Sequence, residues 1–165
     1  MGYAQLSEGR VERLNLIEEL DRAIAQVFPE AAGYGVRIER DYDGIFPPLL
    51  MQRGHLVEIL LNLLQNAREA LNGHGRVSVT ARCRADESVE IAIADNGPGI
   101  PADKFESIFE AYYTTKDKGT GLGLAIVKHN IELYGGTVRV ESGLGIGARF
   151  VLWLPGKAAD SPKPT

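Results

Sequence analysis

The sequence predicts an α+β domain built on a mixed, mostly antiparallel sheet with helices on one face. Three observations lead there. Apolar patterning gives an element order of roughly βαβαββαββ, in which strands follow one another with no helix between them. That order favours a mixed or antiparallel sheet over a doubly wound parallel one. The length of 165 residues suits one domain able to bury a real core. The composition, 44% hydrophobic and 24% charged, is that of an ordinary globular protein, and no internal repeat is present.

Taken in order, residues 1–9 carry no pattern and read as an N-terminal remnant or linker. Residues 10–14 read as a short strand. Asn15 is an N-cap with Glu18 three residues on, a capping-box spacing that predicts a helix over 16–28, closed by Pro29. Residues 33–35 make a turn. Residues 36–40 alternate apolar and charged, as a half-buried strand does. Asp43-Gly44 and Pro47-Pro48 form a loop. Residues 56–71, LVEILLNLLQNAREAL, form the long central helix, with apolar residues at Leu56, Leu60, Leu63, Leu64, Ala67, Ala70 and Leu71. Asn72-Gly73-His74-Gly75 stops it. Strands follow at 77–83 and 89–94, joined by a hairpin turn at 86–88. A loop spans 95–99, and residues 101–108 make a short helix at best. Residues 109–119 read as a polar, aromatic loop. Residues 121–134 form a helix ended by Gly135-Gly136. Strands at 137–141 and 148–154 complete the domain, and 156–165 read as a disordered tail.

The formal net charge is −4 and no polybasic run occurs, so neither nucleic acid nor an anionic membrane is an implied partner. A single cysteine, Cys83, excludes an internal disulfide framework and suits a reducing compartment. No apolar stretch reaches the roughly 20 residues that span a bilayer. No signal peptide is visible, and Leu6 stands where N-myristoylation needs Ser or Thr. The expected location is cytoplasmic.

Three stretches could carry chemistry. On the central helix, Asn62 and Asn66 are four apart and share one face, away from the leucine stripe. Asn is a mediocre helix former, so this pair is either a polar shoulder or a site. Asp95-Asn96-Gly97-Pro98-Gly99-Ile100 follows directly on an apolar strand. Its glycines permit a sharp turn and close ligand approach, and Asp95 could accept from an amino group such as that of adenine; a plain turn is the alternative. Lys118-Gly119-Thr120-Gly121-Leu122-Gly123-Leu124 opens a helix, where exposed amides attract phosphate and Lys116 and Lys118 add charge. A mobile surface loop is the alternative. The dinucleotide pattern fails at Ile126, and no Gly-Lys-Ser/Thr occurs. One cysteine and three scattered histidines (His55, His74, His129) make a zinc site a poor fit. Magnesium bridged between phosphates and an Asn oxygen needs only one or two protein ligands. There is no nucleophile elbow.

Together, in this order, these motifs closely resemble the catalytic and ATP-binding domain of bacterial sensor histidine kinases, in the GHKL superfamily of gyrase, heat-shock chaperone, histidine kinase and MutL. Asn62-Leu63-Leu64-Gln65-Asn66-Ala67 resembles the N box. Residues 95–100 resemble the first glycine box, 105–109 the F box followed by Glu110-Ala111-Tyr112-Tyr113-Thr114-Thr115-Lys116, and 119–124 the second glycine box. A final Gly-x-Gly precedes a strand at Gly145-Ile146-Gly147. The likeness runs over about 10–155. It implies the Bergerat fold, an α/β sandwich with three helices on one face of the sheet.

By resemblance, Asp95 would receive the adenine amino group, and Gly97, Gly99 and Ile100 would line the base pocket. Asn66 would coordinate Mg²⁺ bridging the phosphates of ATP, with Asn62 beside it, and the two asparagines would be the catalytic pair. Lys116, Gly119, Gly121, Leu122 and Gly123 would belong to a lid over the phosphates, with Tyr113 and Thr120 also in the ATP-binding set. ATPases of the superfamily carry a Glu four residues before the metal-binding Asn to activate water. Here that position is Asn62, and an amide cannot take up a proton as a carboxylate does. Weak hydrolysis is therefore expected. Glu58, one turn further back, is too remote to substitute.

Two departures stand out. The third glycine box usually reads Gly-x-Gly-Thr, and here Ala148 lacks the hydroxyl, which is expected to loosen nucleotide contact. The family's phosphoacceptor histidine has a Pro a few residues later, and none of the three histidines does. The resemblance thus implies a catalytic domain apart from its phosphoacceptor hairpin, transferring the γ-phosphoryl to a histidine on that hairpin, with a response regulator as the next recipient. If the full protein is a membrane-bound sensor, this is its cytoplasmic part. A serine kinase and binding module of the anti-sigma-factor type is an alternative of similar length, as is a GHKL ATPase. The Tyr-Thr-Thr-Lys and Gly-Thr-Gly-Leu-Gly-Leu segments favour the sensor kinases, and Asn62 disfavours the ATPase.

Overall fold

The computed structural model describes residues 9–29, 35–111, 123–143 and 145–156. The first helix starts as its capping signal predicts. The Asn15 side chain accepts from the Glu18 backbone N–H at 3.1 Å, and α1 runs Leu16–Val27. Strand β1 (Glu12–Leu14) precedes it, and β2 (Gly35–Asp43) follows. A further strand, β3 (Leu49–Met51), pairs antiparallel with β1, Leu14 opposite Leu49. No pattern in the sequence predicts this strand. Three residues are too few to show a period, and only the partner strand defines them.

The central helix α2 (Arg53–Leu71) begins three residues earlier than its leucine pattern suggests. Its buried stripe is Leu56, Ile59, Leu60, Leu63, Leu64, Ala67 and Leu71; Ile59 joins it, and Ala70 is only half-buried. Asn72 ends the helix in the left-handed conformation (φ 55°), a common helix stop. Strand β4 (His74–Cys83) then starts at once, inside what looks from sequence like a glycine-rich stop. Gly75 permits this: at φ +140°, an added Cβ would lie 2.7 Å from Leu71 Cδ2. β5 (Val89–Asp95) returns antiparallel, and two single 3₁₀ turns occupy Ala102–Lys104 and Ser107–Phe109. Helix α3 (Gly123–Glu132) and strands β6 (Thr137–Gly143) and β7 (Gly147–Leu154) complete the described chain.

The main sheet has five strands in the order β2-β4-β5-β7-β6. The β2–β4 pair is parallel and the other three are antiparallel, as the succession of strands predicts. Val77, Val79 and Ala81 of β4, Ile91 and Ile93 of β5, and Phe150 and Leu152 of β7 alternate toward one face. There they meet the leucines of α2, flanked by α1 and α3, in one continuous core. Among the described residues this is an α+β fold with a mixed sheet and three α-helices on one face. Gly156 lies against the β4–β5 turn, where an added Cβ would sit 2.3 Å from Asp86 O.

A buried charge ties α1 to α2. Glu19 of α1 is 4% exposed and pairs with Arg53 at the start of α2 and with Arg22 at 3.4 Å. Arg53 also reaches Glu12 of β1 at 3.3 Å. Stranding a buried carboxylate costs several kcal/mol, less here because Arg22 remains and Arg53 is partly solvated. Arg53→Ala should therefore destabilise the domain by about 1–3 kcal/mol in urea or thermal unfolding, whereas exposed Arg82→Ala should stay within about 0.5 kcal/mol.

Candidate functional site

Both asparagines of α2 sit half-buried on its flank. Asn62 is fixed by its own helix: its Nδ2 donates to Glu58 O at 2.8 Å. That turns Oδ1 outward, toward the first residue of α3, where a Cβ added to Gly123 would stand 2.8 Å from it. With no side chain at Gly123, α3 begins beside the asparagine oxygen, so two motifs about sixty residues apart in sequence meet here. Asn66 lies one turn further along.

The third motif arrives on β5. Asp95, at its end, is 8% exposed, and its Oδ1 accepts from the Gly97 N–H at 2.9 Å. The carboxylate thereby sets the turn that follows it. Asn96 extends the strand ladder, its Oδ1 accepting from Arg76 N–H at 2.7 Å. The loop then crosses the end of α2, where a Cβ on Gly97 would come within 2.9 Å of Ala70 O, one helical turn beyond Asn66. Gly99 (φ +87°) passes over the β6–β7 turn, with an added Cβ only 2.3 Å from Gly143 O. Two hydrogen bonds fasten the crossing: Gly145 N–H donates to Pro98 O at 2.7 Å, and Ile100 N–H to Ser142 Oγ at 2.7 Å.

The structure thus brings Asn62 and Gly123 into contact, and sets Gly97 and Gly99 between the end of α2 and the β6–β7 turn. Ile100 packs against the core beside them. Phe109 of the F box stacks edge-on against Phe150, 6.1 Å between centroids. Tyr113, Lys116, Gly119, Thr120, Gly121 and Leu122 lie outside the described residues.

Sequence reasoning did not find Ser142, Glu58 or Asn130 as contributors. Glu58 is not idle: its Oε1 accepts from Asn130 Nδ2 at 2.9 Å. Asn130, 3% exposed, also donates to His55 O at 3.3 Å. His55 shares a 2.6 Å hydrogen bond with the Tyr134 hydroxyl, which also accepts from Gln52 N–H. A polar clasp therefore joins the first half of α2 to the second half of α3, and the carboxylate at 58 is directed into it. No periodic signal marks these residues, since each matters only through its partner.

Among the described residues no group of three His, Cys, Asp or Glu could hold a metal ion. Among them, too, no helix is long and apolar enough to cross a membrane. A concavity of about 430 Å³ opens beside the β6–β7 turn, lined in part by Arg76, Ser78, Glu141 and Arg149. Its cations are engaged: Arg149 pairs with Glu141 at 2.8 Å and Arg76 with Glu39 at 3.8 Å. Between Arg139 and Arg149, Glu141 is held below the usual carboxylate range, chiefly by their hydrogen bonds.

Residues 51–158, which contain all of these motifs, match the family described as "Histidine kinase-, DNA gyrase B-, and HSP90-like ATPase". The chain belongs to that family. Within it, the similarity is to histidine kinases. The sensor histidine kinase ZraS of Escherichia coli O157:H7 is 39% identical over 145 residues, covering 88% of this chain and 31% of ZraS. The chain therefore spans about a third of that relative's length. Full-length ShkA, solved in complex with AMPPNP, superimposes with a TM-score of 0.79 at 34% identity, covering 88% of this chain and 31% of ShkA. The catalytic domain of histidine kinase ThkA gives a TM-score of 0.80 at 27% identity, covering 89% of this chain and 96% of that one. The fold is thus that of histidine kinase catalytic domains in this ATPase family, and the residues correspond to the ATPase domain of sensor kinases.

Proposed function

We propose that this domain binds Mg-ATP and transfers its γ-phosphoryl group to a histidine on a separate dimerisation hairpin, in two-component signalling. The observation that carries the reading is the amide at 62. It stands one turn before Asn66, is held by Glu58 O, and abuts the start of α3. An amide there cannot deprotonate water, and the nearest carboxylate on the helix, Glu58, is bonded to Asn130. The γ-phosphoryl is thereby left for an external nucleophile. An imidazole nitrogen attacks the γ-phosphorus, the bond to the β-phosphate's bridging oxygen breaks, and ADP departs. The domain contributes positioning and charge neutralisation.

In this reading Asp95 accepts from the adenine amino group, while Gly97, Gly99 and Ile100 line the base pocket. Asn66 would hold Mg²⁺ through its side-chain oxygen, and the ion would neutralise phosphate charge. Lys116, Gly119, Gly121, Leu122 and Gly123 would belong to a lid over the phosphates, with Tyr113 and Thr120 also in the ATP-binding set. The AMPPNP bound in ShkA supports a nucleotide here. The domain works in the cytoplasm with its phosphoacceptor hairpin, and a response regulator takes the phosphoryl group next; nucleic acid and membrane are not partners.

The test is to incubate the chain with radiolabelled ATP, Mg²⁺ and hairpin domains carrying the acceptor histidine. Acid-labile, base-stable phosphate should appear on the hairpin and be lost with Asn66→Ala. Label on a serine protein instead, or free phosphate released as fast as by a GHKL ATPase, would overturn the reading.

A further inference from the structure

Ser142 belongs to none of the motifs, yet it joins two of them. Its hydroxyl accepts from Ile100 N–H at 2.7 Å and donates to Gly147 O at 2.8 Å. One oxygen thus ties the far end of the 95–100 loop to the first residue of β7. Register explains why this position can do so. Ser142 pairs with Ala148, and Ala94 pairs with Arg149. Asp95, the next residue along β5, therefore falls beside Ala148. Ser142, Ala148 and Asp95 form one row on the helix-facing side at the end of the sheet. The hydroxyl absent at Ala148 is present one strand away.

We propose that Ser142 is a positioning residue for the base-binding half of the site, holding the 97–100 backbone in the shape that selects adenine. This rests on the nucleotide reading above. The crossing has few other anchors. Its glycines have no side chains to grip with, and among the described residues the Gly145 N–H bond to Pro98 O is the one other hydrogen bond fastening the loop to the turn. Without the hydroxyl, Ile100 N–H and Gly147 O each lose this hydrogen bond, a loss that backbone groups shielded from water tolerate poorly. The loop would shift toward water, carrying Gly97, Gly99 and Ile100 with it.

The experiment measures dissociation constants for Mg-ATP and Mg-GTP by calorimetry, with melting temperatures, for the wild-type chain, Ser142→Ala and Ser142→Thr. Ser142→Ala should weaken ATP binding about tenfold and GTP binding less, narrowing the preference for adenine. Ser142→Thr keeps the hydroxyl and should recover most of both. Unchanged ATP affinity in Ser142→Ala, or equal losses for ATP and GTP, would overturn the positioning role while leaving the nucleotide reading intact. Equal losses with a lowered melting temperature would mark a residue that only supports the fold. A wild-type chain that binds neither nucleotide would overturn both.

Discussion

Asp95→Asn should abolish measurable ATP binding, a loss of roughly 100-fold, while leaving the melting temperature within about 2 °C. The two effects separate because the carboxylate has two tasks. One is local: Oδ1 accepts from Gly97 N–H and sets the turn after β5. An asparagine oxygen performs that task equally well. The other is recognition of an amino group, which a carboxylate meets with acceptors only, whereas an amide presents two donors. A donor facing a donor in a site this buried is costly, since polar groups lose water there without regaining a partner. Calorimetric titration with Mg-ATP and a thermal melt of the same sample check both halves. A folded Asp95→Asn chain that binds ATP like wild type would remove Asp95 from base recognition.

Gly147→Ala should be the most damaging single methyl group. At Gly147 φ is +120°, and an added Cβ would stand 1.9 Å from Asp95 O and 2.9 Å from Asn96 Cα. Neither neighbour is a flexible side chain; both are backbone at the end of the strand that carries the site. Strain at this φ and the enforced separation of β5 from β7 together suggest a loss of about 3 kcal/mol or more. For a chain of this size that lowers the melting temperature by about 6–12 °C. Gly145→Ala is the control two residues away. Its φ is +80°, but nothing lies within 4 Å of an added Cβ, so it should cost only about 1 kcal/mol of backbone strain. Comparable melting temperatures for the two variants would show that β7 can move away from Asp95 at little cost.

The parts of this molecule that were legible in its sequence are those governed by near neighbours. Asn15 and Glu18 announce the start of α1 because a cap acts over three residues. The leucines of α2 announce a buried stripe because the helical period repeats within the helix itself. Asp95 followed by alternate glycines announces a tight turn with a carboxylate in it, and the structure has that turn. What stayed hidden depends on register and on remote partners. β3 exists because β1 lies beside it. Gly123 could be read as part of a glycine-rich helix start, but not as the residue that admits Asn62 Oδ1. Ser142 is one serine before a glycine until Ser142–Ala148 and Ala94–Arg149 pairing brings it near Asp95. Asn130 resembles an ordinary polar helix residue until its burial and its bonds to Glu58 and His55 O are seen.

The outermost strands of the main sheet, β2 and β6, have a bearing on how copies of this domain behave when crowded. An open sheet ends in rows of unused backbone donors and acceptors, and these invite another sheet to dock edge to edge. Here β2 carries exposed Arg37, Glu39, Arg40 and Asp41, and β6 carries exposed Arg139 and Glu141. Ions along a rim must shed water before a second rim can approach, which makes fibril-like growth unfavourable from either side. A domain with such rims can be held close to its own copies without its sheets fusing.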